Sequence, residues 1–131
     1  MQRDLVSNLL LALCIAPVDV TADVDGVGVD VRNYESSILF ASGGAIVAAG
    51  LVTPKAYESD DSTNGTDGTW TAVAAADLQG AFVALTAGSV QKVGYVGRKR
   101  WVRVSADYTS GTSIVFFSGV IAGRPHSAPV A

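Results

Sequence analysis

Few residues in this 131-residue sequence can do chemistry: one histidine, one cysteine, twelve carboxylates and a short basic run. A nucleophilic site needs a base and a nucleophile within hydrogen-bond reach. The one imidazole, His126, lies in a Gly123-Arg124-Pro125-His126 tail, whereas Cys14 stands in an apolar run near the other end. A lone cysteine supplies neither an intramolecular disulfide nor the ligand spacing of a zinc site. Glycoside hydrolysis needs two carboxylates facing each other across a cleft, and nothing in the sequence pairs Glu35, Glu58 or the aspartates. Asp60, Asp61 and Asp67 cluster as hard-cation ligands do. Their spacing departs from an EF-hand, however, since Asp60 and Asp61 are adjacent and no bidentate Glu follows. Gly26-Val27-Gly28 and Gly94-Tyr95-Val96-Gly97-Arg98 lack the spacing of phosphate-binding loops and read as bends in a sheet. The expectation is no enzyme, no cofactor and no metal.

Charge and hydropathy narrow the partners. The net charge of -3 leaves no coherent basic face for phosphate contacts, so no specific nucleic acid is expected despite the group Arg98, Lys99, Arg100 and Arg103. With 49% hydrophobic and only 16% charged residues, against about 25% charged in an average domain, the surface favours association, and a homo-oligomer is expected. The run Leu9–Ala16 is shorter than the roughly 20 residues that span a bilayer, and Asp4 beside Arg3 weakens a secretory-leader reading. It is expected to be a packed segment, with no membrane partner.

The elements carrying these residues follow from hydrophobic period. Leu5, Leu9 and Leu13 recur at a four-residue step with Val6 and Leu10 beside them, which predicts a short helix from Asp4 to Ala16, stopped by Pro17. Beyond it, turn residues interrupt Val-, Thr- and aromatic-rich pieces, which suit a pleated surface. Strands are predicted at Gly26–Val31, Lys55–Ser59, Trp70–Val73, Phe82–Leu85, Trp101–Ser105 and Ser113–Phe117. Another is predicted at Ser36–Ala41, where Ile38-Leu39-Phe40 suggests cover on both faces. Gly43-Gly44 reads as a turn, Asp60–Gly68 as a solvated hairpin loop, Ala74–Leu78 as a brief helical turn, and Tyr108–Thr112 as a turn. On the strand at 101–105, Val102 and Val104 share a buried face and the arginines are expected in solvent.

Together these predict a mainly β chain: an antiparallel β-sandwich or jelly roll with a short N-terminal helix. The division is 1–17 as an N-terminal arm or helix, 18–123 as the sandwich and 124–131 as a C-terminal tail.

Several segments together carry a family likeness: Asp4–Leu9, Tyr34-Glu35-Ser36, Thr53-Pro54-Lys55, Glu58-Ser59-Asp60-Asp61, Trp70–Leu78 and Val93–Arg103. With these the chain, over nearly its whole length, resembles a family of small tailed-bacteriophage virion proteins of the head region. The glycine-tyrosine run into the basic strand is the most telling segment. The chain departs from the family in the extra loop residues Thr63-Asn64-Gly65-Thr66 and in Trp101, where a tyrosine is expected.

The resemblance implies a non-enzymatic capsid decoration or minor capsid protein on the surface of the virion, assembled in the host cytoplasm, with the major capsid protein as partner. A head-tail connector or tail component is the alternative of the same class, and a carbohydrate-binding module using Tyr57, Trp70 and Trp101 that of another. The candidate interface comprises Arg98, Arg100, Arg103 and Arg124, whose planar guanidinium groups suit carboxylates, and Leu5, Leu9 and Leu13 for apolar packing. The leucine arm and the tail Pro125–Ala131 are expected to rest on neighbours.

Overall fold

The computed structural model describes residues 6–47, 49–111 and 113–125, so Leu5 and His126 lie outside the described residues, as does the tail beyond Pro125. Among the described residues, nine strands form two antiparallel sheets: β1 (Leu9–Asp19), β2 (Val29–Asp30), β3 (Tyr34–Val47), β4 (Leu51–Ser59), β5 (Thr71–Ala72), β6 (Leu78–Gln79), β7 (Val90–Tyr95), β8 (Trp101–Ser110) and β9 (Ser113–Pro125). One sheet has the order β1-β9-β3-β7-β6 and the other β2-β8-β4-β5. In chain order the ladders nest, β1 with β9, β2 with β8, β3 with β7 and β4 with β5, and β3 with β9, β4 with β8 and β6 with β7 complete the sheets. That nesting of first with last is an antiparallel ribbon rolled up on itself, the winding of a jelly roll.

Alternation builds the core. Leu39 and Ala41 of β3, Val93 of β7, Val120 and Ala122 of β9, and Val102, Val104 and Ala106 of β8 point between the sheets and are buried. Phe116 and Ile114 of β9 are fully buried near the far end. Among the buried polar ties that cross the core is the Ser118 hydroxyl, donating to the Val104 carbonyl at 2.9 Å.

The predicted N-terminal helix does not form. Val6–Asn8 makes a single 3-10 turn, and β1 then runs through residues expected in the helix. The leucine run satisfies both periods, with Leu9 and Leu13 four apart yet also alternating with Leu10 and Ala12. Pairing along β9 decides for the strand, with Leu9 opposite Gly123 and Leu13 opposite Gly119. The sandwich therefore begins at Leu9 and runs to Pro125, beyond the predicted limits of 18–123.

Other expectations shift for similar reasons. Gly43-Gly44 does not turn the chain; β3 continues through it with a register shift against β9 between Gly43 and Ile46. Phe82–Leu85 is not a strand, because Val83 N–H donates to the Gln91 side chain and Leu85 N–H to the Val52 carbonyl. Ile38 is 40% exposed, so β3 is covered on one face only. The strand at Gly26–Val31 shrinks to Val29–Asp30 and the return strand at Trp70–Val73 to Thr71–Ala72, and a helical turn forms at Ala75–Asp77. The two late strands form but are longer than predicted, Trp101–Ser110 taking in Tyr108–Ser110 of the predicted turn and the second running Ser113–Pro125. Those late strands join opposite sheets, so the turn between them carries the chain across the sandwich.

Candidate functional site

Three surfaces receive the predicted interface residues. The first is one end of the sandwich, where the turn after β2, the loop between β7 and β8, and the residues following β4 converge. Asp30 organises it: its Oδ2 accepts hydrogen bonds from Arg100 Nε at 3.2 Å and Nη2 at 2.9 Å, and its Oδ1 accepts the Arg32 N–H at 3.2 Å. Partial burial pushes the Asp30 carboxyl up, but these bonds and the Arg100 and Arg32 charges outweigh it and hold its pKa below the ordinary range. Lys99 Nζ lies 3.0 Å from Asp60, which also accepts the Arg100 N–H at 3.1 Å. The Lys99 bond, then the Arg100 N–H, draw the Asp60 pKa down.

Behind these residues, Tyr95 donates its hydroxyl proton to buried Glu58 at 2.7 Å and accepts the Lys99 N–H at 3.1 Å. This ties β7 of one sheet to β4 of the other. An open cleft of about 550 Å³ lies alongside, lined by Arg32, Tyr34, Ser36, Arg98, Lys99 and Arg100 among others. Arg124 reaches the same end through strand register, since it sits between the pairs Tyr34 with Pro125 and Ser36 with Gly123. Its backbone is left-handed at φ 54°, uncommon without a glycine. Arg98 and Arg124 are exposed and make no ion pair among the described residues. Leu9 belongs to this end too, packed over Gly123. Thus Arg98, Arg100, Arg124 and Leu9, scattered along the chain, come together.

The second surface is the outer face of the five-stranded sheet. Leu13 lies here at 52% exposed, with Leu11 beside it at 68%. Register sets Leu11 level with Ile121 and Ile38, and Leu13 level with Gly119 and Phe40. Phe40 and Phe117 meet edge to face with centroids 6.4 Å apart. The predicted interface omitted Leu11, Ile38, Phe40, Phe117 and Ile121; the signal was there in period 2, Leu-x-Leu-x-Leu at 9–13, which was read as helix, and Ile-x-Phe at 38–40, which was read as covered on both faces.

The third surface is the outer face of the four-stranded sheet, and here the structure corrects the sequence. Arg103, expected in solvent, is 8% exposed. Its guanidinium carbon lies 4.4 Å from the Trp70 ring centroid and 5.3 Å from that of Tyr57, with Asp25 at 3.5 Å from Nη2. Arg103 Nε and Trp101 Nε1 are buried without a hydrogen-bond partner among the described residues, so the two rings and the Asp25 carboxylate hold this cation. The polar loop does the covering. Instead of projecting as a solvated hairpin, it folds back so that Gly65 accepts the Gly28 N–H at 2.7 Å and Trp70 lies against Gly28, where a Cβ would come within 2.3 Å of its ring.

Asp67 holds that loop together, accepting from the Thr63 hydroxyl and N–H, the Ser62 hydroxyl and the Asn64 N–H. These bonds, the Thr63 pair foremost, hold its carboxyl well below the usual carboxylate range. A carboxyl depressed by folding stabilises above the unfolded-state pKa of about 4 and loses that contribution as pH falls below it. Urea titrations from pH 7 to pH 2 should show stability falling below about pH 4. Asp67→Asn should be less stable at neutral pH and show a shallower acid dependence; an unchanged dependence would contradict the role of the Asp67 carboxylate in holding the loop.

Chemically reactive groups are sparse. Burial pushes the Cys14 thiol up to about 11, and it is covered. Among the described residues no group of three or more His, Cys, Asp or Glu side chains could hold a metal ion, and no helix is long and apolar enough to cross a membrane. No protein-family model, curated protein or solved structure matches the chain.

Proposed function

We propose that this chain is a non-enzymatic structural protein of a tailed-bacteriophage particle, seated on the capsid shell with the major capsid protein as its partner. The observation that carries the reading is the gathering of Arg98, Arg100 and Arg124, with Arg32 and Lys99, at one end of the sandwich beside an open cleft. Arg98 and Arg124 offer planar forks to carboxylates of an acidic shell surface, while Asp30 holds Arg100 in place. The sequence resemblance to head-region virion proteins points the same way.

Jelly rolls build lectins as well as capsid domains, so the fold alone does not choose between them. The aromatic residues favour the shell. Trp101 is buried, Trp70 carries Arg103 on its ring, and Tyr57 carries Arg103 and Lys55. None of the three presents an unoccupied stacking platform to a sugar. A connector or tail position differs from a shell position in copy number, which quantitative mass spectrometry of purified particles reads directly.

The test is co-sedimentation with capsids that lack the protein. Wild type should pellet with them at low salt and be released as salt rises. Arg98→Glu with Arg124→Glu should weaken binding at least tenfold. Failure of the wild-type chain to pellet at any salt would overturn the proposal.

A further inference from the structure

Among the described residues the outer face of the five-stranded sheet is left uncovered, and we infer that a second copy of this chain covers it, sheet against sheet. Leu11, Leu13, Ile38 and Val90 are 68%, 52%, 40% and 70% exposed, and all project from this face. They are contiguous. One row runs Leu11, Ile121, Ile38, Gly94 across β1, β9, β3 and β7, and the next runs Leu13, Gly119, Phe40, Lys92. Phe117 and Val90 extend the patch on either side of Ser42.

Neighbouring side chains fill the space over two of the face's glycines. Phe40 lies over Gly119, where an added Cβ would meet its ring at 2.7 Å, and Leu9 fills the space over Gly123.

Size and charge argue for a second copy as the occupant. Four strands at about 4.8 Å spacing and eight residues at about 3.3 Å give a face of roughly 20 by 25 Å. Two such faces together bury about 1,000 Å², the threshold of a specific interface. Across these rows Lys92 is the one charge among the described residues. A charged face would repel its own copy, and this one does not.

A two-fold axis along the strand direction sets β7 of one copy over β1 of the other. Lys92 then lays its aliphatic stem along Leu11 and Leu13 and carries its ammonium to the rim. The same axis leaves the cationic ends of both copies pointing the same way. The pairing itself does not depend on a shell, so this test and the capsid test fail separately.

Sedimentation velocity of the purified full chain measures it. Wild type is expected to self-associate at micromolar concentration, and Leu11→Lys with Ile38→Lys to weaken association at least tenfold while far-UV circular dichroism stays unchanged. Leu11→Gln with Leu13→Gln replaces that pair should the lysines impair folding, and it should weaken association likewise. Val83→Lys, 62% exposed outside this face, should associate as wild type does. A wild-type chain that stays monomeric, association that survives the face variants, or association lost equally in Val83→Lys would overturn the inference.

Discussion

Phe116→Ala is expected to cost about 3–5 kcal/mol, the range for removing a fully buried aromatic ring. Phe116 is 0% exposed and the largest of the fully buried side chains. It belongs to β9, the strand held between β1 and β3, opposite Val18 on one side and Gly43 on the other. The space it leaves is lined by chain pinned on both flanks, so collapse into it is restricted and the cavity term stays large. For a domain whose net stability is about 5–15 kcal/mol, that is a large share. Urea unfolding should show a much lower midpoint at nearly unchanged slope; a loss below about 1 kcal/mol would mean the far end of the sandwich is loosely packed.

Tyr95→Phe is expected to destabilise by about 2–3 kcal/mol, the scale of a hydrogen bond to a buried charged group. The substitution strips Glu58, 8% exposed, of the Tyr95 hydroxyl and leaves the Lys99 N–H without its acceptor. A double-mutant cycle with Glu58→Gln isolates the pair, because an amide left alone costs less than a carboxylate. Alkaline pH offers a second reading. Burial first, and the Glu58 bond next, push the Tyr95 phenol well above its ordinary value. A phenol raised by folding stabilises in full below its unfolded pKa of about 10 and loses that contribution as pH rises through the folded value. Wild type should therefore lose stability above about pH 10 more steeply than Tyr95→Phe, and equal slopes would remove Tyr95 from the account.

The candidate site was legible in part. Arg98, Arg100 and Arg124 were visible as exposed-type cations on turn and tail segments, and the structure keeps them at the surface. That they meet at one end of the sandwich was not visible, since β9 must first be inserted between β1 and β3 to carry Arg124 there. Arg103 misled because alternation correctly placed it opposite Val102 and Val104, on the face away from the core. Nothing local announces that a loop more than thirty residues earlier folds back to cover that face with Trp70.

By itself the sequence determined the β class and which face of β8 is apolar, because backbone propensity and period-2 alternation act between near neighbours. Tertiary structure alone decided that Leu9–Asp19 is a strand, that Gly43-Gly44 passes through β3 unturned, and that Phe82–Leu85 stays outside the sheets. Each of those choices depends on which distant backbone satisfies the segment's N–H and C=O groups: β9 for the first two, and the Gln91 side chain with the Val52 carbonyl for the third. A ladder partner a hundred residues away leaves no mark on the local pattern, and for that reason the leucine run read as a helix.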